Sequence, residues 1–193
     1  MAVQCVEDPR RCVFGSTEMT LQKEIAVLQE RLARTADGVV TVATAESATS
    51  GRIADRLTDV PGASDYFRGG IVAYSNEAKR RLLRVKASSL RSYGAVSPQV
   101  ACEMAEGARW ALHTAIAVSD TGIAGPGGAT TGKPVGLFYL AIASPEGSKA
   151  RSFTFAGDRM SNKEAALEAA LTLLRDYLLQ CCDVRGVSEY GSF

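Results

Sequence analysis

Leu21, Ile25, Leu28 and Leu32 recur at spacings of 4, 3 and 4, with Gln, Lys, Glu and Arg between them. One apolar stripe on a polar background predicts a helix, here from residue 17 to about Asp37-Gly38. Gly38 to Ala45 (GVVTVATA) has no helical period, and its Val and Thr run predicts a buried strand. Residues 52–57 turn helical again, and Pro61-Gly62-Ala63-Ser64 is a loop. Phe67 to Tyr74 (FRGGIVAY) predicts a second strand, in which Gly69-Gly70 marks a bulge or a close backbone approach. Ser75-Asn76 offer caps to a short helix, Glu77 to Leu83. A further helix is predicted around Ser88 to Ser92. Ser97-Pro98 opens a longer one that reaches Leu112, with Ser as cap and Pro at the first helical position. Ala115–Ser119, Val135–Ala143 and Lys149–Phe155 read as strands, the last two forming a hairpin across Ser144-Pro145-Glu146-Gly147. Ser161 and Glu164 form a capping box for the final helix, whose Leu167, Leu171, Leu174 and Leu178 stay in register to about Leu179.

Strands and helices that alternate early, followed by a late hairpin, indicate one α/β domain of three layers, a mixed sheet with helices on both faces. The domain is expected over residues 17–181, with an N-terminal arm at 1–16 and a C-terminal tail at 182–193. The 193 residues suit a single domain, and 46% hydrophobic against 22% charged residues excludes wholesale disorder. A net charge of +1 leaves no global field to hold nucleic acid or an anionic membrane. No apolar run reaches the roughly 18 residues of a membrane span, and the opening MAVQCVEDPRRCVFG lacks the apolar core of a secretory signal. Five cysteines, an odd number without a C-x-x-C spacing, read as reduced thiols of a cytoplasmic protein. The single histidine, His113, excludes a His-rich metal site; at the end of its helix it reads as a partner of the helix dipole.

Three stretches could carry chemistry. Glu46-Ser47-Ala48-Thr49-Ser50-Gly51 joins the end of a strand to the start of a helix, where ligands of α/β sheets collect. Ser47 there is either a nucleophile beside free N–H groups or a helix cap. Tyr74-Ser75-Asn76-Glu77-Ala78-Lys79 occupies the same place after the next strand. A helix N-terminus and the cations Arg80, Arg81 and Arg84 both disfavour the charged form of Lys79, which suits a base; the alternative is a solvated basic face. Gly122 to Pro134 is the most Gly-rich segment. Its Gly127-Gly128-Ala129-Thr130-Thr131-Gly132-Lys133 matches G-x-x-x-x-G-K, but Pro134 and a strand follow where a phosphate-binding P-loop needs Ser or Thr and a helix. The loop can still place N–H groups around an anion.

Taken together, Thr44-Ala45-Glu46-Ser47, Gly70 through Tyr74 to Lys79, Tyr93-Gly94-Ala95-Val96-Ser97, Thr121 through Gly125-Pro126, Pro134-Val135-Gly136 and Gly157-Asp158-Arg159 fall in the order and at the spacing of the CinA C-terminal domain family. The chain resembles that family, the competence/damage-inducible proteins, over about residues 20–180. The resemblance implies a nicotinamide mononucleotide (NMN) deamidase, a metal-independent amidohydrolase without a cofactor. In that family a Ser/Lys pair assisted by a Tyr does the work, and the matching positions are Ser47, Lys79 and Tyr74. The implied mechanism forms an ester on Ser47, with the N-terminus of the following helix stabilising the oxyanion. Glu46, Thr49, Ser50, the main chain of Gly122, Ile123, Ala124 and Gly125, and the side chains of Lys133 and Arg159 are the expected substrate contacts.

The implied partners are the small-molecule substrate and further copies of the chain in a homo-oligomer, with no nucleic acid and no membrane. The alternative is a catalytically inactive nucleotide-binding or assembly protein of the same fold. The sequence departs from the family's E-S-C-T-G-G at Ala48 and Ser50, and Asp120 stands where an apolar residue is common. Many relatives carry an N-terminal molybdopterin-binding-like domain, for which this chain leaves no room.

Overall fold

The structure is a computed structural model that describes residues 19–187. The expected arm at 1–16 and residues 188–193 of the expected tail lie outside the described residues. The centre of the fold is β1 (Val42–Glu46), all five residues of which are buried. It pairs in parallel with β2 (Phe67–Val72) on one side and β3 (Ile116–Gly122) on the other. The hairpin β4 (Leu137–Ser144) and β5 (Gly147–Thr154) extends the sheet antiparallel from β3, for the order β2-β1-β3-β4-β5. The chain therefore leaves β1 toward one edge and returns to its other side. That reversal opens a crevice at the carboxyl ends of β1 and β3.

Helices cover both faces, as the alternation of elements requires. On one face α1 (Leu21–Ala33), α2 (Arg52–Thr58) and α6 (Arg159–Val184) pack Ile25, Leu32, Leu57, Leu171 and their neighbours against Val42, Val118 and Leu140. On the other, α3 (Asn76–Leu83) and α5 (Pro98–Ala111) pack Leu83, Val100, Met104 and Ala108 against Ala43, Ala45 and Ala117. The short α4 (Ala87–Tyr93) joins them. Strand periodicity puts Val42, Thr44 and Glu46 on the α2 face of β1, and Ile116, Val118 and Asp120 on the same face of β3. The register Ala45–Ser119 then brings Glu46 and Asp120 side by side at the strand ends.

Several boundaries differ from the sequence expectation, each for a local reason. The strand expected from Gly38 begins only at Val42, because Val40 satisfies both its N–H (2.9 Å) and its carbonyl (2.7 Å) on the Gln29 side-chain amide. Helix α1 starts at Leu21, with Thr20 as N-cap. The expected capping box of Ser161 and Glu164 does not form. Asp158 is the N-cap of α6 and accepts from Ser161 N–H at 2.8 Å. Glu164 instead pairs with Arg52 (3.1 Å) and Arg56 (2.7 Å), clamping α2 to α6. Helix α6 also continues to Val184, so Cys182 belongs to the core and not to a tail, buried in register with Leu174 and Leu178.

Gly107 sits inside α5, where its intrinsic propensity is poor. A Cβ there would lie 2.0 Å from the Leu83 carbonyl oxygen, at the end of α3. Gly107→Ala is therefore expected to destabilise the fold by about 2 kcal/mol or more, although alanine is the better helix former. Urea unfolding of the variant checks the sign; a stabilised protein would contradict the close approach of α3 and α5.

Candidate active site

The turn after β1 is built by two buried carboxylates. Glu46 accepts main-chain N–H groups from Gly51 (2.8 Å), Ile53 (3.1 Å) and Ala54 (2.8 Å), and hydroxyls from Thr44 (3.2 Å) and Thr49 (2.8 Å). Asp120 reaches across from β3 and accepts N–H groups from Ser47 (3.0 Å), Ala48 (2.8 Å) and Thr49 (3.3 Å), with the Thr49 hydroxyl also against its Oδ1. Both carboxylates and Thr49 are fully buried. Burial, opposed by the hydrogen bonds from Thr49 and Ser47, pushes the Asp120 carboxyl up to about 6, and the neighbouring Glu46 charge adds to the rise. Gly51, in a left-handed conformation, is the N-cap of α2. Ser47 is thus not the helix cap, and its hydroxyl is left for another task.

That hydroxyl lies 2.8 Å from Lys79 Nζ. Ser75 caps α3 by accepting from Ala78 N–H at 3.0 Å, which sets the helix so that Lys79 points inward under the turn. Lys79 is 1% exposed, so the solvated basic face expected as the alternative does not include it. Its Nζ also meets the carbonyl oxygens of Ala73 (2.8 Å) and Tyr74 (3.3 Å), and among the described residues it has no ion pair with a carboxylate. Burial lowers its pKa below the ordinary lysine value, and the more distant Asp120 charge opposes this. A neutral amine has two hydrogens and one lone pair. In that form the two carbonyls would take the hydrogens and the lone pair would face the Ser47 hydroxyl.

The other expected residues divide. Tyr74 joins the site through its carbonyl, whereas the residue is 63% exposed and its hydroxyl accepts from Arg159 Nη2 at 3.3 Å. Arg159 Nη1 donates to the Gly125 carbonyl at 2.7 Å and so ties the Gly-rich loop to Tyr74. Ala124 packs with Ala48, which lays that loop beside the Ser47 turn. Asn162 holds the loop from below, donating to the carbonyls of Ala124 (3.1 Å) and Gly157 (2.8 Å). Ala124 and Gly125 are buried, yet their N–H groups have no acceptor among the described residues.

Gly122 is a packing glycine, since a Cβ would lie 2.3 Å from the Phe138 ring. Ile123 is buried and gives its N–H to Leu137 at 2.9 Å. Lys133 folds back to donate to the Tyr93 carbonyl, away from the turn. Glu46 and Thr49 spend their polar atoms inside the protein, and Ser50 is exposed with a φ of +59°, the left-handed region that favours glycine.

Of the amides at the helix start after Ser47, expected to stabilise an oxyanion, these bonds occupy six, while those of Ser50 and Arg52 have no acceptor among the described residues. The N–H groups of Ser47, Ala48 and Thr49 belong to Asp120, and those of Gly51, Ile53 and Ala54 to Glu46. Sequence reasoning gave no site role to Asp120 or Asn162. The signal available for Asp120 was a carboxylate inside the otherwise apolar or neutral run Ile116–Gly122, which burial forbids unless donors surround it. An open groove of about 580 Å³ runs beside α3, lined by Asn76, Glu77, Arg80, Arg81, Val85 and Ala87. It holds neither Ser47 nor Lys79. Among the described residues no group of three or more His, Cys, Asp and Glu is placed to hold a metal ion, and no helix is long and apolar enough to cross a membrane.

The model of the CinA C-terminal domain family matches residues 22–178. A CinA-like protein of Salinibacter ruber is 48% identical over 159 residues, covering 82% of this chain and 37% of the relative. A CinA-like protein of Chloroherpeton thalassium is 44% identical over 170 residues, covering 86% and 39%. The chain thus spans less than half the length of the curated relatives it matches. Among solved structures, the competence/damage inducible protein CihA from Agrobacterium tumefaciens is 39% identical with a TM-score of 0.72, over 80% of this chain and 95% of that one. The shared architecture is the mixed five-stranded sheet with helices on both faces.

The lowered pKa of Lys79 has a consequence for stability. Between the folded value and the ordinary lysine value, the unfolded chain binds a proton that the folded chain does not, so stability rises with pH through that window. In Lys79→Met this contribution vanishes. The stability difference, wild type minus variant, is expected to grow in favour of the wild type from pH 7 to 10, measured by urea unfolding. A flat difference would mean that Lys79 is charged in the folded protein.

Proposed function

Because the chain belongs to the CinA C-terminal domain family, we propose that it hydrolyses the carboxamide of NMN, giving nicotinate mononucleotide and ammonia. The observation that carries this reading is the 2.8 Å contact between Ser47 Oγ and Lys79 Nζ, with Lys79 buried and free of any carboxylate partner among the described residues. A serine hydroxyl is too weak an acid to attack an amide unaided, and a neutral amine at hydrogen-bond distance is a sufficient base.

In the proposed reaction Ser47 Oγ forms a bond to the carboxamide carbon while Lys79 Nζ takes its proton. The tetrahedral intermediate collapses as the Lys79 ammonium returns that proton to the leaving nitrogen. Ammonia departs and a nicotinoyl ester remains on Ser47. Lys79, neutral again, draws a proton from water, whose oxygen attacks the ester carbon. The C–O bond to Ser47 breaks, Ser47 recovers its proton, and nicotinate mononucleotide leaves. No step requires a metal. The unpaired N–H groups of Ala124 and Gly125, with Arg159 beside them, are the donors we assign to the negatively charged oxygens of the substrate. Tyr74 contributes its carbonyl to Lys79 and its hydroxyl to Arg159.

Ser47→Ala is expected to abolish ammonia release from NMN, assayed in chelator, while leaving stability close to wild type, since the hydroxyl caps nothing. Near-normal turnover in the variant would remove Ser47 from the reaction. Arg159→Ala is expected to weaken NMN far more than unphosphorylated nicotinamide riboside. An equal loss for both would place Arg159 in the loop's architecture and not at the phosphate.

A further inference from the structure

Main-chain amides at the start of a helix are the usual partners of an external anion. In this turn an internal anion has taken them. Three consecutive N–H groups, on Ser47, Ala48 and Thr49, converge on the one Asp120 carboxylate, which comes from a different strand and is fully buried. The adjoining amides of Gly51, Ile53 and Ala54 converge on Glu46 in the same way. The turn is therefore held from below at both ends by β1 and β3. Ser47 is the residue at which that support meets Lys79, which arrives from α3 on the other face of the sheet.

We propose that Asp120 is a positioning residue for the nucleophile: by gathering the N–H groups of Ser47, Ala48 and Thr49 it fixes Ser47 Oγ against Lys79 Nζ. This rests on the reading of Ser47 as the nucleophile. Asp120 touches neither substrate nor the reacting atoms in this scheme; it acts through the main chain of the turn. Charge matters as much as shape. Three amide donors and the Thr49 hydroxyl form a site for an ionised carboxylate, which accepts and does not donate. An asparagine of the same size would bring an NH₂ group against at least one of those donors. An apolar side chain would leave all three N–H groups buried without an acceptor, at a cost for each. The charged groups that face Asp120 are Glu46 from β1, which opposes its ionisation, and Lys79 from α3.

The decisive comparison is Asp120→Asn against wild type, with two reactions of Ser47 measured per folded molecule. The first is ammonia release from NMN. The variant's kcat is expected to fall roughly 10–100-fold, the scale of a small misplacement of reacting groups, with KM little changed. The second is covalent modification of Ser47 by a fluorophosphonate probe, followed by mass spectrometry, which is expected to slow in parallel. Loss of the Asp120 charge should also move the acid limb of the modification rate to lower pH, because that charge favours the Lys79 ammonium. Unchanged kcat and modification rate, or a loss confined to KM or to thermal stability, overturns the proposal.

The probe separates this proposal from the substrate assignment. A wild type that is modified at Ser47, slowed by Asp120→Asn, but inert toward NMN would uphold Asp120 and sink the deamidase reading. Should Asp120→Asn fail to fold, the wild type itself supplies the test. In a nuclear magnetic resonance pH titration the amide protons of Ser47, Ala48 and Thr49 should shift together with one midpoint near 6 as Asp120 takes up a proton. Amides that do not respond, or that respond separately, overturn it.

Discussion

Two carboxylates, placed side by side at the ends of neighbouring parallel strands, hold one turn by its main-chain N–H groups. Among the described residues, neither has a cationic side chain as its hydrogen-bonding partner. Each is compensated by amide dipoles and hydroxyls, which spread several hydrogen bonds over one charge. The Thr49 hydroxyl lies between them with a single hydrogen to offer, so the two charges are not fully relieved, and the raised pKa of Asp120 reflects this as well as its burial. Everything at the site depends on that arrangement, because it determines where the main chain of Ser47 sits before any side chain is considered.

Lys79 obeys the opposite logic. Its amine meets two carbonyls and a hydroxyl, with no carboxylate partner among the described residues, and burial shifts it toward the uncharged form. The capping of α3 by Ser75 and the turning of the Ala73 carbonyl toward Lys79 after the end of β2 supply this environment. The polar faces of the helix, Arg80 and Arg81, stay in water. One helix thus presents a solvated basic surface outward and a desolvated amine inward, four residues into its length.

The far end of the site is carried by α6. Its first turn sends Arg159 to the Gly125 carbonyl and the Tyr74 hydroxyl, and Asn162 to the carbonyls of Ala124 and Gly157. Farther along the helix, Glu164 and Glu168 engage Arg56, and Glu164 also engages Arg52 of the same helix α2. These ion pairs are partly exposed and individually weak. Their use is geometric: α6 fixes the glycine-rich loop and the helix after the Ser47 turn in one frame, on a core of leucines that includes Leu167, Leu171 and Leu174.

Hydrophobic periodicity, the Ser97-Pro98 start and the hairpin spacing were enough to place the elements and the three-layer architecture, because each depends on residues a few positions apart. The quoted motifs likewise located Ser47 and Lys79, and Ser97 indeed caps α5 by accepting from Val100 N–H at 3.4 Å. The sequence could not say whether Lys79 faced water or the core, since a helix position near Arg80, Arg81 and Arg84 is compatible with both. Nor could it say that Ser47 does not cap α2, or that the amides of Ser47, Ala48 and Thr49 were already taken by Asp120. Those facts join residues 32 and 73 positions apart. They follow from the parallel register of β1 and β3 and from α3 packing on the opposite face, which bring a lysine, a serine and an aspartate together only after the sheet has assembled.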